Sequence, residues 1–229
     1  MNDPNDIADQ HRAMREAIAK AVLNWSFVED SLARLLGYLL DKNTANQSYS
    51  NVDMIGFVIY FKPNNTETRI GIVDSVVRFF MDRPRNTERL SLLACWLRIY
   101  SKVNKIKERR NAVMHGSVAT HAIGSNPTRN YVRLTHSLHD VTRTLATMRD
   151  GQVPGKSAHD VDAVADNFAK WANFINRFRQ CVIAQEVYED VVQAVLGQTG
   201  DPKKIPLARE ASQQAILQLE ADLKVTPRQ

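Results

Sequence analysis

The chain has 229 residues, room for one large or two small domains, and 44% of them are hydrophobic, ample for a core. A formal charge of +5 and a pI near 9.3 admit an anionic partner, but lysine and arginine are spread along the whole chain, so charge alone does not single out nucleic acid. No segment approaches the roughly 20 apolar residues that span a bilayer, the polar N-terminus lacks the apolar run of a secretory signal, and Cys95 and Cys181 lie inside apolar helical patterns; this excludes a disulfide scaffold and leads to the expectation of a soluble cytoplasmic protein.

The first predicted helix starts near residues 4–6, where Pro4 and Asp6 suit a helix N-terminus, and runs to Leu40. Ile18, Val22, Trp25, Leu32, Leu36 and Leu39 mark its apolar stripe. The polar residues 41–51 end it, a short apolar piece follows at 54–61, and a turn at 62–66 leads into a second amphipathic helix. Thr66 is the expected N-cap of that helix, and Ile70, Val73, Val77 and Phe80 form its buried face. Arg83 to Thr87 breaks it. A long helix then begins at about Thr87, with Leu92, Trp96, Ile99, Val103 and Ile106 on one face and Gly116 as the C′ residue beyond its end.

Residues 117–155 lose helical periodicity and carry turn signals at 124–127, 150–151 and 153–155. Alternation in Tyr131, Val132, Arg133 and Leu134 predicts a small hairpin or meander there. The last long helix starts at Ser157 or Asp160 and runs to Leu196, with Val161, Val164, Phe168, Trp171, Ile175, Phe178 and Val182 on its stripe. A linker at 197–206 and a short amphipathic helix at 207–223 complete the chain. The predicted fold is all-α, a bundle of long antiparallel helices over 1–196 with a small irregular or β-hairpin insertion at 117–155, followed by the linker and helix of 197–229.

Two of these stripes are interrupted by a charge. On the long helix the position after Ile106 is Arg110, and on the first helix the slot between Trp25 and Leu32 holds Glu29. An ion on an apolar stripe is either paired or lines a cleft, because a lone buried charge costs several kcal/mol. Opposite signs at the two interruptions predict that the helices pack side by side with Glu29 facing the Arg110 region, either as a structural ion pair or as part of a site.

Asn111 and His115 stand four residues apart and share a helix face, while Arg110 is about 100° round from Asn111 and can reach the same space. A guanidinium for a phosphate, an amide for orientation and an imidazole of suitable pKa form a reasonable phosphodiester site. Such chemistry on RNA needs no metal, since the 2′-OH of the substrate is the nucleophile. Lys102, Lys105, Lys107 and Arg109 precede the motif as a basic run; Lys107 and Arg109 are its candidate RNA contacts. His11, His121, His136, His139 and His159 are scattered without a carboxylate or cysteine cluster in ligand spacing, so neither a metal nor a cofactor is expected.

The sequence Arg110-Asn111-Ala112-Val113-Met114-His115 at the end of a long helix resembles the Arg-Asn-x-x-x-His motif of HEPN-superfamily proteins. Trp25-Ser26-Phe27-Val28-Glu29 resembles the aromatic-then-acidic pattern of their leading helix. The resemblance implies an all-α, HEPN-like bundle, commonly a homodimer in which two copies of the motif face one composite cleft. It implies a metal-independent endoribonuclease of toxin, antiviral or RNA-processing type, with an antitoxin or other protein regulator as a further partner. Arg110 would then hold the scissile phosphate, His115 would act as general acid or base, Asn111 would fix their geometry and Glu29 would support them. The toxin branch partnered by nucleotidyltransferases carries a Tyr two positions after the His, where this chain has Ser117. The alternative function is a non-catalytic dimeric module of the same fold that binds RNA, a nucleotide or a protein.

Overall fold

Periodic apolar stripes of this length become helices because tertiary burial of one face stabilises them more than intrinsic propensity does. A computed structural model describes residues 6–41, 50–82, 87–123, 129–135 and 155–225. Its elements are α1 (Ile7–Asp41), α2 (Ser50–Phe61), α3 (Thr66–Met81), α4 (Thr87–Met114), β1 (Ser117–Ile123), β2 (Arg129–Thr135), α5 (Ala158–Leu196) and α6 (Lys204–Val225). The described chain is thus mostly helical, with one small antiparallel sheet where the hairpin is expected. No described helix is long and apolar enough to cross a membrane.

Two compact units make up the chain, Met1–Val28 with Lys105–Lys170 and Glu29–Asn104 with Trp171–Gln229. In the first, α1 and α5 run parallel. Lys20 pairs with Asp162 and Asp166, each at 2.8 Å, Asn24 Nδ2 donates to the Ala165 carbonyl at 3.0 Å, and the Trp25 and Phe168 rings meet edge to face at 5.2 Å. The expectation of antiparallel long helices therefore does not hold for this pair. The stripe of α1 is also corrected here: Met14, Ala17, Ala21, Trp25 and Val28 are buried, while Val22 is 40% exposed and Ile18 lies on the flank. Ala17 and Ala21 are among the buried residues, and a stripe read from large residues alone misses them.

The β1–β2 hairpin belongs to the same unit, with Ser117 opposite Thr135, Ala119 opposite Arg133 and His121 opposite Tyr131. Its outer edge is closed without a further full strand. Leu134 exchanges both backbone hydrogen bonds with Lys156, at 2.9 and 2.8 Å. Beyond it the Gln10 side chain behaves like a peptide group, accepting from Val132 N at 2.9 Å and donating to the Asn130 carbonyl at 3.2 Å.

In the second unit α4 runs antiparallel to α5, as Arg89 meets Glu189 and Trp96 packs on Phe178 at 5.3 Å. The α5–α6 pair is antiparallel as well. Ser212 Oγ donates to Gln185 Oε1 at 2.7 Å, and Arg177 pairs with Asp222 at 2.6 Å. The apolar segment at 54–61 is the described end of a helix that begins at Ser50, within the stretch expected to be polar loop. It seats on α1 through Gly56, where a Cβ would stand 2.3 Å from the Ala33 carbonyl oxygen and 2.6 Å from the Gly37 Cα.

Caps settle the helix boundaries. Asn65, not Thr66, is the N-cap of α3, its side chain accepting from Thr68 N at 2.7 Å. At the start of α5, Ser157 Oγ accepts from Asp160 N at 3.2 Å and Asp160 Oδ2 accepts from Ser157 N at 2.9 Å, a reciprocal cap. The Ser157 hydroxyl donates to Asp160 Oδ2 at 2.6 Å, and this bond, with that from Ser157 N, holds the Asp160 carboxyl below its ordinary pKa. The last helix starts at Lys204 rather than 207, with Pro206 in its first turn, where no donor is needed. The turn signals at 124–127 and 150–154 lie outside the described residues, as do His136 and His139.

Candidate functional site

The site expected from the sequence is built by the last two turns of α4. Val103, Ile106 and Val113 are buried, and this spacing places position 110 on the same inward face. Arg110 is half-buried there, with its Nε shielded from solvent and without a hydrogen-bond partner. Its Nη1 donates to Asn111 Oδ1 at 3.1 Å. Among the described residues it has no carboxylate partner.

This arrangement fixes which part of the guanidinium is available. With Nη1 held by Asn111, the unpaired edge is that of Nε and Nη2; Nε is shielded, so the side chain must turn outward for this edge to meet two oxygens of a phosphate or carboxylate. A shielded donor without an acceptor costs about 1–3 kcal/mol, a penalty that an anion bound on this edge would relieve.

Asn111 and His115 are exposed, one turn apart, and His115 N closes the last turn on the Asn111 carbonyl at 3.0 Å. Gly116 follows as the C′ residue, yet its φ is not in the left-handed region. Glycine is required for a different reason: a Cβ would lie 2.7 Å from the Ala112 carbonyl oxygen and 2.8 Å from Leu134 Cδ1. The end of α4 thus docks directly on the hairpin. Lys107 is half-buried and Arg109 exposed on the same stretch of helix.

Glu29 is accounted for elsewhere. It is buried, and its Oε1 accepts from Arg69 Nη1 at 3.1 Å, while Arg69 Nε donates to the Pro63 carbonyl and its guanidinium lies 5.0 Å from the Phe61 ring centre. Within the first unit the structure brings Arg110 and Asn111 together, and within the second it pairs Glu29 with Arg69. The interruption of the stripe signalled a buried charge, but its partner came from a helix that follows α1 in the chain.

Other chemistry-bearing groups are quiet. Cys95 and Cys181 are buried free thiols, each pushed up to about 11 by burial, hence poor nucleophiles. No group of three or more His, Cys, Asp or Glu that could hold a metal ion occurs among the described residues. A groove of about 200 Å³ in the second unit is lined by Thr87, Glu88, Ser91, Gln213, Ile216 and Leu217 and contains none of the motif residues. Its Glu88 accepts from Gln213 Nε2 at 2.9 Å, which holds the carboxyl below its ordinary pKa.

Sequence reasoning did not single out the hairpin residues. His121 is 8% exposed with a shielded, unpartnered Nε2. Burial, aided by the charge of Arg133, lowers its pKa. The Arg133 guanidinium lies 5.4 Å from the Tyr131 ring centre. The alternation at 131–134 was the available signal, and it gave the strand but not what its polar face carries. Comparison with protein-family models, with curated proteins and with solved structures finds no match to this chain.

Proposed function

We propose that the protein is a metal-independent endoribonuclease whose site is Arg110, Asn111 and His115. The observation that carries this reading is the unpaired Nε–Nη2 edge of Arg110, beside Asn111 and one turn from an exposed imidazole. The resemblance of these same residues to the HEPN-superfamily motif supports it. A toxin or phage-defence role under a protein regulator is the biological setting that goes with this chemistry.

In the proposed reaction the 2′-OH attacks the adjacent phosphorus, the bond from phosphorus to the 5′-oxygen breaks, and the products are a 2′,3′-cyclic phosphate and a 5′-OH. One group takes the 2′-OH proton and another protonates the leaving oxygen, while Arg110 engages two phosphate oxygens whose charge grows in the transition state. Each chain supplies one His115 at this site, so the reading includes a homodimer that brings two copies of the motif to one cleft. Glu29, the supporting residue that the motif resemblance implies, is held in place by its ion pair with Arg69.

The test is incubation of purified protein with a varied RNA pool in EDTA, beside His115→Ala. Cleavage by the parent to cyclic-phosphate ends and its loss in the variant are expected. An intact pool, or equal cleavage by both proteins, overturns the reading. Salt-dependent binding without turnover would instead identify the non-catalytic module.

A further inference from the structure

Antiparallel register divides the hairpin into two faces. One carries Val118, Thr120, Val132 and Leu134; Val132 and Leu134 are buried, and Thr120 Oγ1 is 3.0 Å from His11 Nε2 of α1. The other carries Ser117 and Thr135, then Ala119 and Arg133, then His121 and Tyr131. On this second face the Arg133 guanidinium is laid against the Tyr131 ring at 5.4 Å. Its Nη1 donates only to the neighbouring Val132 carbonyl, at 3.3 Å, and among the described residues it has no carboxylate partner.

We infer that this face is a platform for single-stranded RNA, with Arg133 contacting a backbone phosphate and Tyr131 stacking a base next to the cleavage site. The inference rests on the ribonuclease reading of Arg110 and His115. Placement is the first argument: the hairpin leaves α4 one residue after His115, so the Ser117–Thr135 rung adjoins the motif. Arg133 is two residues further along the strand, about 7 Å, and Tyr131 about 14 Å.

Chemistry is the second argument. A guanidinium laid against an aromatic ring makes one flat cationic surface, and unstacked bases bind such surfaces with little regard to sequence. The residues facing Arg133 and leading to it, Ala119, Ser117 and Thr135, are small and half-buried, while His121 opposite Tyr131 is buried, so Arg133 and the Tyr131 edge are the parts of this face offered to a ligand. A duplex, whose bases are stacked and paired, offers no base face to such a platform.

Fluorescence anisotropy with a labelled oligouridylate carrying 2′-O-methyl groups measures binding without cleavage. Arg133→Gln should weaken binding and reduce the slope of log affinity against log salt by about one. Tyr131→Ala should weaken it about five- to a hundredfold with the salt slope unchanged, and Tyr131→Phe should bind like the parent. If Tyr131→Ala unfolds the hairpin, the salt slope of Arg133→Gln decides. Parental binding by both Arg133→Gln and Tyr131→Ala, absence of oligouridylate binding by the parent, or equal competition by duplex RNA overturns the platform. Cleavage by His115→Ala decides the ribonuclease reading separately, since the platform can fail while His115 remains essential.

Discussion

Apart from the surface pair of Arg12 with Asp9 in the first unit, the arginines considered in the two units meet different fates. In the second unit Arg34, Arg69, Arg78, Arg89 and Arg177 each bind a carboxylate, and Arg89, the most buried, is held by Glu189, by the Phe80 carbonyl at 2.8 Å and by the Phe80 ring. In the first unit Arg110 and Arg133 are half-buried and without a carboxylate among the described residues, one beside Asn111 and the other against Tyr131. A guanidinium that completes its bonds inside the protein is scaffold, whereas one that is oriented and left open is prepared for an anion from outside. Arg179 tests that distinction from within the second unit: its Nε is also shielded and unpartnered, but no described side chain orients it.

The largest effect expected from breaking the contrast is on catalysis. Arg110→Lys keeps the charge but loses the planar fork, and His115→Ala loses the proton-transfer group; each should reduce cleavage about a hundred- to ten-thousandfold. Thermal unfolding should change little for His115→Ala, an exposed position, within about 0.5 kcal/mol. Arg179→Lys should leave cleavage at the parental rate. Equal cleavage by Arg110→Lys and Arg179→Lys would reduce Arg110 to scaffold and move the site elsewhere.

Arg89→Met should show the converse. It strands the Glu189 carboxylate, which also accepts from Gln185 Nε2 at 2.9 Å, and removes a donor from the Phe80 carbonyl. Breaking one side of such a pair costs about 3–5 kcal/mol, read as a fall in the unfolding midpoint, while cleavage per folded molecule stays constant. A smaller, mixed effect is expected at the joint between α4 and the hairpin. Gly116→Ala forces its new methyl group against the Ala112 carbonyl and the Leu134 side chain. About 1–3 kcal/mol of stability should be lost, with a partial loss of cleavage as His115 shifts. Unchanged stability would show that Leu134 yields freely.

The sequence makes helices legible where large apolar residues recur against a polar background. The stripes of α3, α4 and α5 are buried residue for residue, from Ile70 to Phe80, Leu92 to Ile106 and Val161 to Val182. It misleads where that contrast fails. Ala17 and Ala21 are buried because they are small, and residues 54–61 are so uniformly apolar that no face stands out until Gly56 is seen against Gly37. Charges on a stripe are legible as anomalies, but pairing is not. Glu29 and Arg69 are 40 positions apart, and only the packing of α3 against α1 joins them. Arg110 and Asn111 are sequence neighbours, so their shared geometry is local and could be read in advance.

The smallest predicted effect sharpens the comparison through pH. Burial, with the Arg133 charge adding to it, holds His121 below the ordinary histidine pKa in the folded chain, whereas the unfolded chain takes up its proton near pH 6.5. Between those values the unfolded state binds more protons, so stability rises with pH. The contribution of neutral His121 is complete above about pH 6.5, is lost as pH falls toward the folded value, and levels off below it. Glu88, Asp160 and Asp222 are shifted downward, so the stability they confer disappears only at pH values below the ordinary carboxylate range of about 4. Unfolding midpoints between pH 5 and 7 should therefore decline toward the acid side in the parent and be flatter in His121→Phe, which retains a ring but cannot be protonated. Hydrogen-exchange protection should weaken in β1 and β2 before it does in α5 near Gln185 and in α6. An equal acid decline in His121→Phe would assign the titration to another group.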